Sequence, residues 1–498
     1  MKIKIQRITN MLGSRWAFVV TLILFTAEGS WLALTSRFPM AFDEGFHFGL
    51  IQFFSHHLNP IITHQASDTY KYGALIQNPS TLYHYLMSFP YRLITLFAHS
   101  TVTQVMCLRL LNVILAIGTL IIIRKLLRLL GMSNPLANLL VLALAFTPLF
   151  TVLSAQINYD NLLILAVSGC LYLTVAFSKQ LAAGTVDSVT LLWLGCACLF
   201  SSLIKYAFLP VFLAIALVVV WKSLAYQHRH RNLLKQVKKS FLRAHRWLRL
   251  ALVVLFIAGS ALFVRFYGVN IIRYHNPYPQ CDQVLNVPDC LHYYAWSNFY
   301  QVEQYNRQHH FEALQGASGV THYTSYWLTL VTGELFGATM PFLGDLYGSS
   351  AYFFIVVLLT GGMLIATLRN ARKVFRAQPE LLSLLFISAV YLLFLWAKNY
   401  HDYVRTGDAL GIHGRYVLPV IICMYAVLAA GMRAAFAGLP RWSPAIKVGL
   451  ASVFVFSFLL YGGFRPYMTY IDPRYGHLSS TNAFHLLDLT NKPDNSQK

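Results

Sequence analysis

The feature that most constrains this chain is a repeated one. Apolar runs of about 20 residues recur along it, each long enough to cross a hydrocarbon core of roughly 30 Å as a helix. A segment in lipid has to satisfy its own backbone hydrogen bonds, so runs of this kind fold as helices. With 57% hydrophobic and 11% charged residues over 498 positions, the chain is not a soluble globular domain. The runs fall near residues 15–35, 103–123, 135–153, 161–177, 188–203, 206–221, 250–267, 349–368, 381–397, 416–432 and 446–464. The expected fold is therefore an all-α integral membrane protein of about eleven transmembrane helices.

The net charge of +21 would point to nucleic acid in a soluble protein, so the placement of the charges decides. Between Trp221 and Leu250 stand Lys222, Arg229, Arg231, Lys235, Lys238, Lys239, Arg243, Arg246 and Arg249, with no acid among them. Further acid-free clusters lie at Lys2 to Arg15, at Arg124 to Arg128 and at Arg369 to Arg376. Each flanks an apolar run and they occupy alternate loops, the pattern of cytoplasmic loops in a multi-pass protein. No nucleic-acid partner is expected. The acids, Asp187 and Glu380 apart, fall mostly in the other set of loops, so any chemistry is expected on the outer face.

On this reading the chain is an integral plasma (inner) membrane protein with a cytoplasmic N-terminus, a retained first span and an extracytoplasmic active site. Residues 1–467 form the membrane domain, with a first outer loop at 38–102 and a second at 268–348, and residues 468–498 form an outer tail. Phe46, Leu50, Phe53 and Phe54, then Leu82, Leu86, Phe89 and Leu93, recur at helical spacing and predict surface helices in the first loop. The second loop holds Cys281 and Cys290, the one cysteine pair outside the apolar segments. An oxidising compartment favours a disulfide between them, and the absence of CxxC spacing weakens a metal reading.

The stretch "FDEGFHFG", from Phe42 to Gly49, places two carboxylates just beyond the first span. If a helix starts at Asp43, then Asp43 and His47 share a face and Glu44 points about 100° away. Two readings stay open: Asp43 is a helix N-cap, or it is a functional carboxylate near outer cations such as Lys205, Arg265 and Arg415. Lys205 and Arg415 are either interfacial anchors or anion-binding groups. Asp160 either caps the helix that follows Asn158 or orients a substrate or a divalent cation.

Several segments together resemble the GT-C superfamily of polytopic glycosyltransferases, in particular the branch with protein O-mannosyltransferases and the lipid A aminoarabinose transferase. They are the acidic pair at Asp43 and Glu44, "QNPSTLYHYL" (Gln77 to Leu86), "LRLLNVILAIGTLIIIRKLLRLLG" (Leu108 to Gly131), "SAQINYDNLL" (Ser154 to Leu163), "SSLIKYAFLP" (Ser201 to Pro210) and "HGRYVLPV" (His413 to Val420). The resemblance covers about residues 38–419. It implies Asp43 as general base, with Glu44 as the second catalytic candidate, and Lys205 and Arg415 as groups that hold a lipid phosphate. His47, Asn78, His84, Asp160 and His413 join them as candidate substrate-binding residues. Gln77-Asn78-Pro79-Ser80 stands where the mannosyl and aminoarabinose enzymes have Lys- or His-Pro-Pro, which leaves the donor sugar open.

The implied activity moves a sugar from a polyprenyl-phosphate-linked donor to a glycan, lipid or protein acceptor. A carboxylate takes the proton of the acceptor hydroxyl and cations stabilise the charge on the departing phosphate. No cofactor is required by this chemistry, though a divalent cation is possible at the acidic residues. The rival readings are a multi-span transporter or lipid flippase and a non-catalytic assembly protein. No paired broken segments of the transporter kind are visible in the sequence.

Overall fold

The computed structural model describes residues 2–40, 42–309, 316–336 and 350–437, together with single positions between 449 and 463. The expected span at 446–464 and the tail at 468–498 lie largely outside the described residues. Every regular element among the described residues is helical.

A short helix α1 (Lys2–Gly13) leads into α2 (Arg15–Thr35), whose start is capped by Ser14 Oγ accepting the Ala17 N–H at 3.1 Å. Two helices then form in the segment expected as the first outer loop, α3 (Glu44–Ser55) and α4 (Leu82–Ile94), before α5 (Thr101–Leu129) returns through the bundle. The expected run at 135–153 is a broken one. It divides into α6 (Asn134–Ala145) and α7 (Pro148–Ser154), bent by 66° where Pro148 lacks the N–H that would continue the ladder.

The next helices, α8 (Tyr159–Ala182), α9 (Ser188–Ile204) and α10 (Leu209–His230), run back and forth. An exposed basic helix α11 (Leu233–Arg243) follows, then α12 (Arg246–Phe263), which continues through a wider turn into α13 (Val269–Tyr274). The segment expected as the second outer loop begins with two short helices, α14 (Cys281–Val284) and α15 (Val287–Cys290), joined by a Cys281–Cys290 disulfide. Then come α16 (Tyr294–Gln308) and α17 (Gly316–Leu335), and the bundle closes with α18 (Ser350–Ala377), α19 (Pro379–Thr406) and α20 (Leu418–Phe436).

Seven of these helices are long and apolar enough to cross a membrane, and eight spans result if the bent pair counts as one. These counts are of the described residues, and the expected spans at 349–368 and 446–464 include residues outside them. The break at Pro148 explains one difference, and α9, with 17 residues, is a shorter apolar helix. Their inward faces build one core, where Phe25, Leu108, Leu120, Leu144, Leu153, Leu171, Ala214 and Ile387 are fully buried. Ile23, Ile257, Leu358 and Leu393 point away from it and are 60% exposed or more. Large apolar side chains exposed on long apolar helices are a lipid-facing surface.

The bundle has two chemically different ends. Asn161 Nδ2 donates to Asn112 Oδ1 at 3.2 Å near the start of α8, and Gly118 packs on Leu165 further along, so α5 and α8 run side by side in one direction. Their far ends carry the basic clusters. There Arg124 donates to Asn138, Asn138 holds the carbonyls of Leu12 and Ser14, and Gln378 holds that of Leu130. At their near ends the two outer-loop helices meet the start of α8, the end of α9 and the turn before α20.

Candidate active site

The turn into α3 is strained. Phe42 and Asp43 both adopt left-handed backbone angles, with φ of 60° and 64°. Non-glycine residues occupy this region uncommonly, and two in succession need the surroundings to hold them there. The holding groups are the Asn158 amide, which donates to the Phe42 carbonyl at 3.1 Å, and Arg415 Nη1, which reaches the same oxygen at 3.3 Å. The Arg415 guanidinium also lies over the Phe42 ring, 4.7 Å from its centroid.

Asp43 occupies the cap position of α3, but its side chain makes no capping hydrogen bond. The N-cap reading is therefore set aside. Its carboxylate is 60% exposed and stands 3.5 Å from Arg415 Nη2. The carboxylate is thus accessible to solvent beside a buried cation.

Glu44 is the opposite case. It is fully buried and receives a two-pronged Arg109 fork, Nε to Oε1 at 2.8 Å and Nη2 to Oε2 at 2.7 Å. The Met40 N–H adds a bond at 2.7 Å and the Ile157 N–H one at 3.1 Å. Arg109 spends its remaining donors on the carbonyls of Ala33, Ser36 and Arg37. With two donors on each oxygen, Glu44 is a clamp that ties the end of α2 and the start of α3 to α5 and α8.

Asp160 does not cap α8; Asn158 does, through its Oδ1 to the Asp160 N–H at 2.9 Å. The buried Asp160 carboxylate instead takes Lys205 Nζ at 2.7 Å, with Arg415 Nε 3.8 Å from its other oxygen. Among the described residues, that oxygen and Arg415 Nε have no hydrogen-bond partner. Neither cation is an interfacial anchor. Lys205 is 5% exposed and Arg415 4%. The Lys205 ammonium sits 4.4 Å from the Tyr159 ring centroid and 4.3 Å from that of Tyr416, two cation–π contacts that replace some of its lost hydration.

The histidines divide. His47 Nδ1 and His84 Nε2 share a hydrogen bond of 2.9 Å, both rings buried. Burial pushes His84 down to about 3, and burial followed by His84, Arg415 and Lys205 holds His47 well below its ordinary value. The pair is neutral at physiological pH. His413 lies on the turn before α20, 3.4 Å from Glu334 Oε1, while the other Glu334 oxygen accepts the Gly414 N–H. Gly414 has to be glycine, because a Cβ there would come within 2.7 Å of the Val331 carbonyl and 3.0 Å of the Leu335 nitrogen.

Asn78 is used locally. Its Oδ1 accepts the Ser80 N–H at 2.9 Å, and Ser80 Oγ in turn accepts the Tyr206 N–H at 3.0 Å, docking the "QNPS" segment on the residue after Lys205. Asp43, His47, His84, Asp160, Lys205, His413 and Arg415 thus come to one end of the bundle, with Asn78 behind them. Arg109 and Glu334 were missed by sequence reasoning. Each is a charged residue within an apolar or half-apolar stretch, which signals a buried partner.

A divalent cation does not fit this donor set. Asp160 is already neutralised by Lys205 and Arg415, and Arg415 lies between it and Asp43, so two cations occupy the space a metal would need. Among the described residues no group of three or more His, Cys, Asp or Glu side chains is placed to hold a metal ion.

No protein-family model matches the chain, and no curated protein matches it. Among solved structures it is similar to the oligosaccharyltransferase of Archaeoglobus fulgidus. In the apo form the identity is 14% over 91% of this chain and 56% of the other, with a TM-score of 0.46. The same enzyme in complex with Zn and sulfate gives 15%, 95%, 56% and 0.46. Archaeal oligosaccharyltransferase AglB with an inhibitory peptide and a dolichol-phosphate gives 16%, 96%, 58% and 0.45. The chain spans little more than half the length of these proteins. Any function has to be argued from the site's own residues.

Proposed function

We propose that the protein is a membrane glycosyltransferase that moves a sugar from a polyprenyl-phosphate-linked donor to a hydroxyl acceptor on the extracytoplasmic face. The observation that carries this reading is the exposed Asp43 carboxylate, held on a left-handed turn 3.5 Å from Arg415, beside the buried Asp160–Lys205 pair. The extracytoplasmic assignment is supported by the position of this cluster at the end of the bundle away from the basic loops.

The two cations, Lys205 and Arg415, balance the two carboxylates, Asp43 and Asp160, in charge. When a donor phosphate reaches Arg415, it competes with Asp43, the more exposed of the two acids around that guanidinium. The acceptor oxygen then attacks the anomeric carbon, its proton passes to Asp43, and the bond from that carbon to the phosphate oxygen breaks with its electron pair leaving on the phosphate. Arg415 and Lys205 stabilise that charge. Attack opposite the leaving group inverts the anomeric centre.

Glu44 belongs to the scaffold in this scheme rather than to the chemistry, which revises its place as a second catalytic carboxylate. His47 and His84 support α3 from below as a neutral pair. The test is transfer of labelled sugar from a panel of polyprenyl-phosphate sugars by the purified protein in detergent. Asp43→Asn is expected to lower turnover by about 10²-fold or more, the usual range for a lost general base, with an unchanged melting temperature. An Asn variant as active as the wild type removes Asp43 from the reaction.

A further inference from the structure

The disulfide loop of the second outer segment reaches the site with both of its arms. Tyr278 lies three residues before Cys281, and its ring stacks on Tyr206 at 4.1 Å and 13°, next to Lys205. Tyr293 lies three residues after Cys290, and its ring stacks on Phe46 at 5.8 Å and 28°, three residues after Asp43. Gly73, with φ of 75°, makes room for this arm, since a Cβ there would meet the Tyr293 ring at 2.9 Å. One arm therefore ends on the phosphate-holding side of the site and the other on the side of the base, and the Cys281–Cys290 bond ties the two together.

Around the buried Asp160, Lys205 and Arg415 stand Tyr159, Tyr206, Tyr278, Tyr293 and Tyr416, every one of them partly exposed. Burial pushes the Tyr293 phenol above its ordinary value, with Asp43, Tyr206 and Tyr416 adding to the effect. Burial does the same for Tyr278, with Tyr293 and Tyr206 contributing. Both stay neutral and keep an O–H to donate. Of the two phenols, the Tyr293 one lies within electrostatic range of Asp43.

A wall of neutral phenols suits one ligand class. A polyprenyl chain calls for purely apolar side chains, and a phosphate calls for cations. A sugar ring has apolar C–H faces that pack on aromatic faces and a rim of hydroxyls that exchange hydrogen bonds with phenol O–H groups. We propose that Tyr278 and Tyr293, held by the Cys281–Cys290 bridge, form the wall that binds the donor's sugar ring between the phosphate cations and the Asp43 base. This rests on the glycosyltransferase reading and deepens it: the clasp selects the sugar, while Lys205 and Arg415 hold the phosphate.

The test measures binding of a short polyprenyl phosphate to the full-length protein in detergent, bare and carrying glucose, mannose, galactose or arabinose, by intrinsic fluorescence. The wild type is expected to bind at least one sugar-bearing lipid about tenfold tighter than the bare lipid. Tyr278→Ala and Tyr293→Ala should each remove most of that difference and leave the bare lipid's affinity within about twofold. Dithiothreitol on the wild type should do the same. Where an Ala variant does not fold, Tyr278→Phe and Tyr293→Phe replace it, and they should lose part of the sugar preference with the stacking intact. Equal losses for bare and sugar-bearing lipids, or an undiminished sugar preference in the variants, overturn the clasp. A wild type that binds neither lipid refutes the glycosyltransferase reading before any substitution is made, and the clasp with it.

Discussion

Two left-handed residues in succession, Phe42 and Asp43, are what brings the Asp43 carboxylate out of the packed end of the bundle. Such a conformation costs on the order of 1–3 kcal/mol per residue, and Asn158 and Arg415 offset it by holding the Phe42 carbonyl. Glycine enters this region freely, so Asp43→Gly should match or exceed the wild type in thermal stability in detergent while losing transfer. Asp43→Ala keeps the Cβ strain and removes no cap. A fall of about 1 kcal/mol for the Ala variant would restore the capping role, because alanine cannot supply a side-chain acceptor. Glu44 behaves differently at the adjacent position. Glu44→Gln or Arg109→Met leaves one buried charge without its partner, which should cost roughly 3–5 kcal/mol. The double variant should cost less than the sum of the two, since neither charge is then left alone; fully additive losses would mean the pair is not coupled.

At the scale of elements, the His47–His84 bond fastens α3 to α4, and burial of both rings favours the neutral pair. The sign follows from the shifts. Both folded values are lowered, so below the ordinary value of about 6.5 the unfolded chain binds protons that the folded chain refuses. Stability is complete above that pH and falls as the pH drops below about 6.5, by up to about 1.4 kcal/mol per pH unit for each ring. His84→Gln, whose amide nitrogen can take the place of Nε2, should flatten the decline of melting temperature between pH 6.5 and 4.5 relative to the wild type. An unchanged slope would mean the rings carry no part of it.

The elements themselves were legible in the sequence, since apolar length and helical spacing report on local structure. The first-loop helices at Glu44–Ser55 and Leu82–Ile94 follow the spacing of Phe46, Leu50 and Phe54 and of Leu82, Leu86 and Leu93. The pairings were not. Glu44 meets Arg109 across 65 positions, Asp160 meets Lys205 across 45, and Glu334 meets Gly414 across 80. Nothing local distinguishes a carboxylate destined for a buried guanidinium from one left exposed, so Asp43 and Glu44 looked alike although their environments are opposite.

At the scale of the whole molecule, the separation of its two ends decides where any reaction takes place. Arg124 and Arg128, with the basic run from Lys222 to Arg249, gather at the end of α5 and α8 remote from Asp43, and α11 carries Lys235, Lys238, Lys239 and Arg243 with no buried residue. Loops rich in Lys and Arg are retained on the cytoplasmic side, where anionic headgroups also attract them. On the proposed orientation the Cys281–Cys290 bond would lie in a compartment that permits it. Single cysteines can test this directly, because the unpaired native cysteines are buried except for the partly buried Cys107. Leu234 on α11 is 79% exposed and Tyr294 at the start of α16 is 76% exposed, so both positions are accessible to a thiol reagent. In intact cells a membrane-impermeant maleimide should label Tyr294→Cys and leave Leu234→Cys unlabelled until the membrane is opened, with the unsubstituted protein as baseline. The reverse pattern would put Asp43, Arg415 and Lys205 on the cytoplasmic side, where a donor in the outer leaflet could not reach them, and would end the proposed reaction.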